Sequence, residues 1–478
     1  MSNTHDLTAN KIPKAAVIMA AGKGTRMRSS VSKVLHEVAG IPMIARVIGA
    51  TLAAGISRVV VIIGHQSEAV KECVHTRFPE ADIRWAIQAE QKGTAHAVMC
   101  AQEALDDFDG QVWILSGDVP TLSSRLLITL SGDYADHALI VTGMRLEAPK
   151  SYGRLLKNDE GSLYAIREAK DCTPEERLVR EVNAGLYRID AKLLFEGLKT
   201  VQTNNAQGEY YLTDLVGYAW AQKAKIACPV LTGSDADELE GVNDRIDLAF
   251  AEERAQRSLA EELMRSGVTL LRPKTLQLSA EVMVAEDVLI EADVTLVGRS
   301  VIATGVTVER GCWIKDCEIG EGTVIKAYSH LEGAKIGAEA SVGPFARLRE
   351  GTILHDQVKV GNFVETKKTT LEAGAKASHL SYLGDAHIGK KANVGAGTIT
   401  CNYDGYQKHK TVVGAGAFIG SDTQLVAPVT IGEGAFVAAG TTVTGNVPDH
   451  ALALTRPKTI HKEGWAALFH DRMAILKK

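Results

Sequence analysis

The stretch IGEGAFVAAGTTV, residues 431–443, places an aliphatic residue followed by a small residue at every sixth position. The same step recurs from about Val268 onward, in the pairs Ile319-Gly320, Ile336-Gly337, Leu383-Gly384, Ile388-Gly389 and Ile419-Gly420. Such repetition predicts a β-helix, in which each aliphatic side chain stacks on its equivalent one coil above. The small residue that follows permits a tight corner. At about three hexapeptides per coil, about 200 residues predict roughly ten coils.

One insertion breaks this repeat. The segment TCNYDGYQKHK, Thr400 to Lys410, is polar and aromatic and lies between two regular repeats. A second irregular stretch lies upstream, between Gly361 and Tyr382. Because insertions in repeat proteins form loops on one face, which is often the binding face, these two segments predict a functional site on the β-helix.

Length and composition restrict the class of protein. A chain of 478 residues is too long for one core and predicts two or three domains. The 45% hydrophobic and 23% charged residues are typical of a soluble globular protein. A net charge of −5 provides no electrostatic basis for nucleic-acid binding, so any substrate phosphate must be bound by local groups.

The cysteines and the N-terminus favour a cytoplasmic enzyme or scaffold. The seven cysteines show no paired spacing, which favours a reducing compartment. Cys312 and Cys317 have no second pair of ligands for a metal. The first 14 residues lack the apolar core of a signal peptide, and no apolar run is long enough to span a membrane.

The N-terminal half has a different pattern. A buried strand at Ala15–Ala20, a helix at Pro42–Ala54 and a second strand at Arg58–Gly64 predict a parallel sheet with helices on both faces. Another strand, Val112–Asp118, ends in a carboxylate at the sheet edge where open α/β folds bind ligands. The amphipathic segment Asn243–Arg265 predicts a helix that joins two domains.

A glycine-rich turn follows the first strand. Its sequence is AAGKGTRM, Ala20 to Met27. Glycines can bring backbone N–H groups against phosphate oxygens, and Lys23 and Arg26 add positive charge there. The spacing matches neither the Walker nor the Rossmann pattern, so the alternative for this turn alone is a simple strand exit.

Several motifs together resemble the sugar-nucleotidyltransferases, and in particular the bacterial bifunctional uridylyltransferase–acetyltransferase family. Besides AAGKGTRM, they are Ser32–Leu35, Gln88–Ala95, Ser116–Asp118, Tyr152–Arg154, Glu181–Asn183 and Glu240–Asn243, followed in order by the β-helix motifs. The resemblance implies an α/β Rossmann-like nucleotidyltransferase domain followed by a left-handed parallel β-helix of hexapeptide repeats. It places the uridylyltransferase domain at residues 1–243, a linker helix at 244–266 and the acetyltransferase domain at 267–478.

By resemblance, the first domain binds UTP and a sugar phosphate, and Arg26 and Lys33 take part in catalysis. Residues expected to contact UTP or its sugar-nucleotide product are Ala20, Ala21, Gly22, Lys33, Gln88, Gly93, Thr94, Ser116, Asp118, Gly153, Glu168, Asn183 and Asn243. Asp118 and Asn243 would bind Mg²⁺, which prefers hard oxygen ligands. No protein nucleophile is required, because an oxygen of the sugar phosphate attacks the α-phosphorus in line.

The chain departs from the family pattern at Ser32, where proline is usual, and at Ser116, where tyrosine is frequent. We expect these changes to alter affinity rather than chemistry. Simpler alternatives exist for single residues. Asp118 and Asn243 could each be a helix N-cap, and Lys33 could be an ordinary surface lysine.

A second set of residues on the β-helix resembles the acetyltransferase site of the family. Glucosamine-1-phosphate would be bound by Arg349, Lys367, Tyr382 and Asn393. Acetyl-CoA would be bound by Ala396, Asn402, Tyr403, Ser421, Ala439 and Arg456. The family's proline after Arg349 is Glu350 here, which concerns only the local loop geometry.

Acetyl transfer to an amine requires a base and donors for the oxyanion. His379 suits the first task because imidazole titrates near neutrality, and Glu365, by resemblance, would orient its ring. Ser421 or Asn402 could stabilise the oxyanion, and the sequence does not choose between them. A Cys401 nucleophile is the alternative, but no histidine lies beside it in the sequence.

These features predict a cytoplasmic enzyme that acetylates glucosamine-1-phosphate and then transfers a uridylyl group, with Mg²⁺ as cofactor. The product, UDP-N-acetylglucosamine, feeds peptidoglycan and lipopolysaccharide precursors. The resemblance also implies a homotrimer with no membrane insertion. The alternatives are a monofunctional nucleotidyltransferase with a regulatory β-helix, and a noncatalytic β-helix assembly or sugar-nucleotide binding protein.

Overall fold

The computed structural model describes residues 14–22, 24–64, 67–149, 151–456 and 458–477, so Lys23 of the glycine-rich turn lies outside the described residues. The chain divides into two compact units, one up to Ser258 and the other from Leu259. The first contains a mixed sheet with helices, and the second contains three parallel sheets.

The described helices and short 3-10 turns occur mainly in the first unit. The helices are α1 Met43–Ala53, α2 Ser67–Arg77, α3 Thr94–Cys100, α4 Ser124–Asp133, α5 Ala191–Leu198, α6 Asp214–Ala221, α7 Ser234–Asp237, α8 Arg245–Arg265 and α9 Trp465–Leu476. The 3-10 turns are Thr25–Met27, Lys33–Leu35, Glu103–Leu105, Glu176–Leu178 and Pro273–Thr275.

The strands of the first unit form one large sheet and one short hairpin. They are β1 Lys14–Met19, β2 Glu37–Val38, β3 Ile41–Pro42, β4 Arg58–Ile63, β5 Asp82–Ile87, β6 Gln111–Ser116, β7 Leu139–Arg145, β8 Arg154–Lys157, β9 Leu163–Arg167, β10 Glu181–Asp190, β11 Ile226–Ala227 and β12 Val230–Leu231. Along the main path of the large sheet the order is β11-β7-β10-β6-β1-β4-β5.

The large sheet is packed on both faces, as the sequence predicts. Along β1, Ala15 and Val17 belong to one apolar cluster and Ala16 and Ile18 to the other, because alternate side chains point to opposite faces. Helices α3, α5 and α6 contribute to the first cluster, and α1 and α4 to the second.

The sheet is parallel for the three strands on which the prediction rests, β1, β4 and β6, but the sheet as a whole is mixed. Strands β6, β1, β4 and β5 are parallel, but β10 pairs antiparallel with both β6 and β7. The reason is local: β8 and β9 form an antiparallel hairpin, and β10 also pairs antiparallel with β8. The described chain between β7 and β10 contains this hairpin and one short 3-10 turn, and no crossover helix of the kind that usually joins parallel strands.

Helix α8 corresponds to the predicted joining helix and contains the division between the two units. Within the first unit, the Ala39 N–H donates to Glu252 Oε2 at 2.6 Å. Within the second, Leu259 and Leu263 pack against the apolar core of the β-helix. The helix therefore contributes packing to each unit with a different part of its length.

Three parallel sheets form the walls of the β-helix. The first contains Thr269–Leu270, Leu289–Ile290, Thr307–Val308, Val324–Ile325, Ser341–Val342, Lys359–Asn362, Lys376–His379, Asn393–Val394, Phe418–Ile419, Phe436–Val437 and Leu452–Ala453. The second contains Gln277–Leu278, Thr295–Val297, Trp313–Lys315, His330–Glu332, Arg347–Leu348, Glu365–Lys367, Tyr382–Gly384, Ile399–Cys401, Gln424–Val426 and Thr442–Val443. The third contains Met283–Val284, Val301–Ile302, Glu318–Ile319, Lys335–Ile336, Ile353–Leu354, Thr370–Leu371, Ala386–Ile388, Thr411–Val413 and Val429–Ile431.

The stacking of the coils confirms the predicted repeat. Ile319 pairs with Ile336, and Ile336 with Leu354, so one coil takes 17 or 18 residues. The described strands number 11, 10 and 9 in the three sheets, in agreement with the roughly ten coils predicted. At the insertion the step lengthens, since Val413 pairs with Ile388.

Small residues at the corners allow the coils to approach closely. A Cβ added to Gly361 would lie 1.9 Å from the carbonyl oxygen of Ser378 in the next coil. Beyond the last strand, α9 exposes all of its described side chains, including Trp465 and Phe469. None of the helices in the described ranges combines the length and apolar character needed to cross a membrane.

Candidate functional sites

A cavity of about 320 Å³ opens at the C-terminal end of β1, where the glycine-rich turn begins. Nine predicted nucleotide-binding residues line it: Ala20, Ala21, Gly22, Lys33, Gln88, Gly93, Thr94, Ser116 and Asp118. Met19, Val34, Gln91, Ala97 and Glu209 also line it and were not predicted as site residues. The other predicted residues of this unit lie outside the lining of the cavity.

Backbone contacts bring the ends of three strands together at this cavity. The Ala20 N–H donates to Ile62 O, and the Gly117 N–H to Met19 O, each at 2.9 Å. A Cβ on Gly117 would lie 3.2 Å from the Met19 carbonyl oxygen. Glycine therefore permits the segment that carries Asp118 to lie close to the end of β1. The Gln91 amide donates to the Ala21 carbonyl oxygen and holds the opposite wall.

The capping alternatives for Asp118 and Asn243 are wrong. Helix α4 is capped by Ser123, whose hydroxyl accepts from the Leu126 N–H at 3.2 Å. At the start of α8, the Asp244 carboxylate accepts from the N–H groups of Ile246 and Asp247. Asp118 and Asn243 are therefore not needed for capping at these two helix ends.

Lys33 is not an ordinary surface lysine. Its ammonium forms an ion pair with Asp118 Oδ2, and the two side chains are 13% and 22% exposed. The Asn243 carboxamide oxygen accepts from Arg26 Nη2 at 2.9 Å. The Val242 N–H donates to the Asp118 carbonyl oxygen at 2.8 Å, so Asp118 lies beside the segment that carries Asn243.

The donor chemistry at Asp118 and Asn243 fits Mg²⁺. A carboxylate and a carboxamide oxygen are hard ligands, and Mg²⁺ is typically bound by one or two carboxylates together with substrate phosphates. Among the described residues there is no group of three or more His, Cys, Asp or Glu side chains that could hold a metal by itself. We therefore expect substrate phosphate oxygens to complete the ligand set of the ion at these two residues.

The predicted sugar-binding residues Gly153, Glu168 and Asn183 form a separate cluster. The Asn183 N–H donates to Gly153 O at 2.8 Å, and a Cβ on Gly153 would lie 3.6 Å from Glu168 Oε1. Burial raises the pKa of the Glu168 carboxyl, and a hydrogen bond from Thr213 opposes this effect. The Asn183 amide donates to the Tyr187 hydroxyl at 2.6 Å.

Sequence reasoning missed Thr213 and Tyr187 as positioning groups. Both are buried, and each contacts a predicted sugar-binding side chain. Burial raises the pKa of Tyr187, so its hydroxyl remains protonated at neutral pH. No local pattern marks either residue, because the contacts depend on how α6 and β10 pack.

On the β-helix, a single corner column brings together residues from the predicted acetyltransferase set. Asn362 pairs with His379, and the registers of the next strands continue this column through Ala396, Ser421 and Ala439. Hydrogen bonds confirm it, since the Asp422 N–H donates to Ala396 O and the Gly440 N–H to Ser421 O. The predicted base and three predicted acetyl-CoA residues therefore lie along one edge of the solenoid.

The predicted phosphate-binding side chains lie on the adjoining second sheet. Arg349 and Lys367 follow each other in successive coils, and Lys408 of the insertion reaches the same place. Lys408 and then Arg349 lower the pKa of Lys367. This concentration of cations suits a phosphate group. Lys408 was not predicted as a site residue, although it belongs to the insertion that interrupts the repeat.

His379 is held by Asn362 and not by Glu365. The imidazole Nδ1 and Asn362 Oδ1 are 2.8 Å apart, whereas Glu365 Oε1 accepts from Arg349 Nη1 at 3.0 Å. The register is the physical reason: Asn362 and His379 are direct partners in the first sheet, whereas Glu365 lies in the second. Within the described contacts, Glu365 therefore orients Arg349, and its expected effect on the ring stays a prediction.

The remaining predicted residues are distributed around this edge. A Cβ on Gly384 would meet the Tyr382 hydroxyl at 2.5 Å and Asn402 Nδ2 at 2.8 Å, so these two side chains come together over Gly384. Tyr403 is exposed in the insertion, and Asn393 lies on the first sheet beside Phe418. Arg456 is exposed beyond the last strand.

The Cys401 alternative gains no support from its surroundings. The thiol makes one weak contact, to the Ile399 carbonyl oxygen at 4.0 Å. All seven cysteines are free. The buried thiols Cys312 and Cys317 have a pKa raised to about 11 by burial, which disfavours the thiolate that a metal would require.

Three family models match parts of the chain. They describe a MobA-like NTP transferase domain over residues 16–181, a GMPPB C-terminal domain over residues 278–372, and a bacterial transferase hexapeptide of six repeats over residues 410–445. The first match covers most of the large sheet, and the other two fall on the β-helix. They agree with the division of the fold into an α/β unit and a left-handed parallel β-helix.

Relatives described as bifunctional protein GlmU are similar over nearly their whole length. A protein of Pelobacter propionicus is 48% identical, with 94% of this chain and 97% of the relative covered. A protein of Trichlorobacter lovleyi is 46% identical, with 96% and 99% covered, and one of Anaeromyxobacter sp. is 49% identical, with 95% and 93% covered. With both units matched at this level, the chain belongs to the GlmU family of bifunctional proteins.

Proposed function

We propose that this protein transfers the acetyl group of acetyl-CoA to glucosamine-1-phosphate and then the uridylyl group of UTP to N-acetylglucosamine-1-phosphate. The proposal rests above all on one observation: each unit gathers its own set of predicted residues, at the β1 cavity and along the corner column. The family membership of the whole chain supports both activities. The product, UDP-N-acetylglucosamine, would supply cell-wall precursors.

In uridylyl transfer, the chain would supply position and charge. The Gln88, Gly93 and Thr94 wall of the cavity would bind the nucleotide, while Lys33 and Arg26 would neutralise phosphate charge. Gly153, Glu168 and Asn183 would hold the sugar phosphate, whose oxygen attacks the α-phosphorus and releases pyrophosphate. Bound at Asp118 and Asn243, Mg²⁺ would supply further charge neutralisation.

In acetyl transfer, the amine nitrogen would attack the thioester carbonyl, and coenzyme A would leave as the thiolate. With Asn362 Oδ1 as the acceptor, His379 would carry its proton on Nδ1, and Nε2 would be left to accept the amine proton. Arg349, Lys367 and Lys408 would bind the substrate phosphate. Ser421 shares the corner column with His379 and is the better placed oxyanion donor, because the Asn402 amide is engaged by Asp385.

We further propose a cytoplasmic homotrimer. The free thiols fit a reducing compartment. The column of exposed apolar side chains Tyr328, Phe345, Phe363 and Leu380 offers a contact surface for a second copy. We retain residues 1–243, 244–266 and 267–478 as the proposed functional domains.

The decisive experiment is incubation of the full chain with glucosamine-1-phosphate, acetyl-CoA, UTP and Mg²⁺, with coenzyme A and pyrophosphate measured separately. Both should appear, and pyrophosphate release should depend on acetyl-CoA unless N-acetylglucosamine-1-phosphate is supplied. Pyrophosphate without coenzyme A would indicate the monofunctional alternative. Release of neither product would favour a binding or assembly protein.

The variant Asp118→Ala tests whether the two sites are separate. We expect it to abolish pyrophosphate release and leave coenzyme A release unchanged, because the metal is proposed to act only in the first unit. The variant Asp235→Ala is a suitable control, since its ion pair with Arg125 lies elsewhere in the same unit. Equal loss of both activities in Asp118→Ala would contradict the two-site proposal.

A further inference from the structure

Each of the two oxygens proposed to bind Mg²⁺ is engaged by a side-chain cation. The Lys33 ammonium forms an ion pair with Asp118 Oδ2, and Arg26 Nη2 donates to Asn243 Oδ1 at 2.9 Å. Both cations come from one short segment, Arg26 to Lys33, which begins within the glycine-rich turn. The same two cations are the groups proposed to contact the triphosphate.

The packing of the turn fixes the position of Lys33. Gly24 has φ 58°, and a Cβ at this position would lie 2.6 Å from Lys33 Cβ. The turn therefore lies directly against the lysine stem, and the ammonium is directed to a carboxylate that is 22% exposed. A partly buried carboxylate is costly when unpaired, so a counter-cation stabilises the protein in the absence of metal.

We propose that Lys33 and Arg26 act as exchangeable counter-cations that occupy the metal ligands until a nucleoside triphosphate binds. The triphosphate would attract both side chains to its own oxygens and so release Asp118 and Asn243 for the metal. This inference rests on the proposed uridylyl transfer. It assigns to the two side chains a second task, which is to prevent tight metal binding before the nucleotide arrives.

Electrostatic repulsion should prevent the two side-chain cations and a divalent ion from occupying the same two oxygens at the same time. A divalent ion within bonding distance of Asp118 Oδ2 and Asn243 Oδ1 would lie only a few ångströms from the Lys33 and Arg26 charges, where like charges repel strongly. Binding of metal and binding of triphosphate should therefore favour each other, because coupling between two ligands is reciprocal.

The test measures the binding of Mn²⁺, a paramagnetic substitute for Mg²⁺, to the full chain without nucleotide. Electron paramagnetic resonance reports the concentration of the free ion. We expect Lys33→Met and Arg26→Met each to increase Mn²⁺ affinity by roughly tenfold, within the range typical of coupled sites. Methionine keeps the apolar stem and removes only the charge. Because the variants act on different oxygens, each tests the idea independently.

Arg28→Met is the matched control, since it removes a charge from the same segment, and the described contacts of Arg28 include neither oxygen. It should leave Mn²⁺ affinity within about twofold, as expected for an exposed charge. Unchanged or weaker Mn²⁺ binding in both Lys33→Met and Arg26→Met would overturn the inference, as would an equal increase in Arg28→Met. The pyrophosphate assay of the unmodified chain reports separately on the proposed function, so the two failures can be distinguished.

Discussion

At the residue scale, the contact between His379 and Asn362 leads to the most specific prediction for acetyl transfer. His379→Ala should lower the rate of coenzyme A release by about 10² to 10⁴, as is usual for a lost general base. The amine of the substrate is largely protonated at neutral pH, so a higher pH should restore part of the rate. Initial rates of coenzyme A release between pH 7 and 9 would measure both effects.

A neighbouring histidine provides the control for this variant. His387 lies on the third sheet, where its imidazole pairs with Glu372 at 3.1 Å, away from the corner column. His387→Ala should leave acetyl transfer unchanged. Near-normal acetyl transfer in His379→Ala would exclude this residue as the base, and any loss of uridylyl transfer would indicate a general folding defect.

We expect the Glu168 carboxyl to lower the stability of the first unit at neutral pH, although it is a proposed sugar contact. Burial raises the pKa of its carboxyl above the ordinary 4.5, and the nearby Asp171, Asp214 and Glu209 act in the same direction. Over the interval between the unfolded and folded values, the folded chain binds more protons than the unfolded chain. Stability therefore decreases as pH rises through this interval.

Glu168→Gln should relieve this cost while removing a proposed sugar contact. At pH 8 we expect the first unit to melt roughly 2–4 °C higher than the unmodified protein, and the difference should vanish below about pH 4.5. Thermal unfolding followed by circular dichroism at both pH values measures this. The exposed Glu160→Gln should show no such pattern, and a lower melting temperature of Glu168→Gln at pH 8 would contradict the argument.

Sequence motifs singled out Asp118, Lys33 and His379 as candidate site residues, because each lies in a short segment with a recognisable pattern. Asn362, Thr213 and Tyr187 could not be predicted in the same way. Their importance arises from register and packing, which place them against residues 17, 45 and 4 positions away. The contact between His379 and Asn362 was missed for the same reason.

At the element scale, the corner at Gly361 determines whether Asn362 and His379 meet. A methyl group there would collide with the Ser378 carbonyl oxygen, so Gly361→Ala must shift one coil against the next. We expect destabilisation of the β-helix by about 1–3 kcal/mol, typical of overpacking, and a loss of acetyl transfer. Chemical denaturation and coenzyme A release would measure the two effects.

Gly445→Ala is the matched control in the same β-helix, because the added Cβ would have no atom within 4 Å. It should leave both stability and acetyl transfer nearly unchanged. Uridylyl transfer should survive in both glycine variants. Normal acetyl transfer in a stable Gly361→Ala protein would show that this corner does not position the base.

The elements themselves were predictable to different degrees. The six-residue repeat predicted the β-helix and its coil number, because one rule governs every coil. In the first unit, β1, β4 and β6 were predicted to within two residues at each end. The antiparallel direction of β10 was missed, since strand direction depends on the connection through β8 and β9 and not on the strand's own composition.

At the scale of the whole molecule, each unit has its own apolar core, and this predicts chemical independence. A fragment that ends at Arg265 retains the β1 cavity, Asp118, Asn243 and the contact between Ala39 and Glu252. We expect it to release pyrophosphate from UTP and N-acetylglucosamine-1-phosphate at a rate near that of the full chain. Loss of this activity in a fragment with native circular dichroism would refute independence.

The last turns of α8 have a further consequence for the β-helix. A stack of parallel strands ends in unpaired backbone groups, and such an open edge can recruit strands from other molecules and grow into fibrils. Leu259 and Leu263 pack against the core only a few residues before the first strand, at Thr269, so the last turns of α8 contact the β-helix near its first coil. We expect this packing to hinder the addition of foreign strands at the first coil, as the terminal caps of repeat proteins do, so that the joining segment would also keep the β-helix from polymerising.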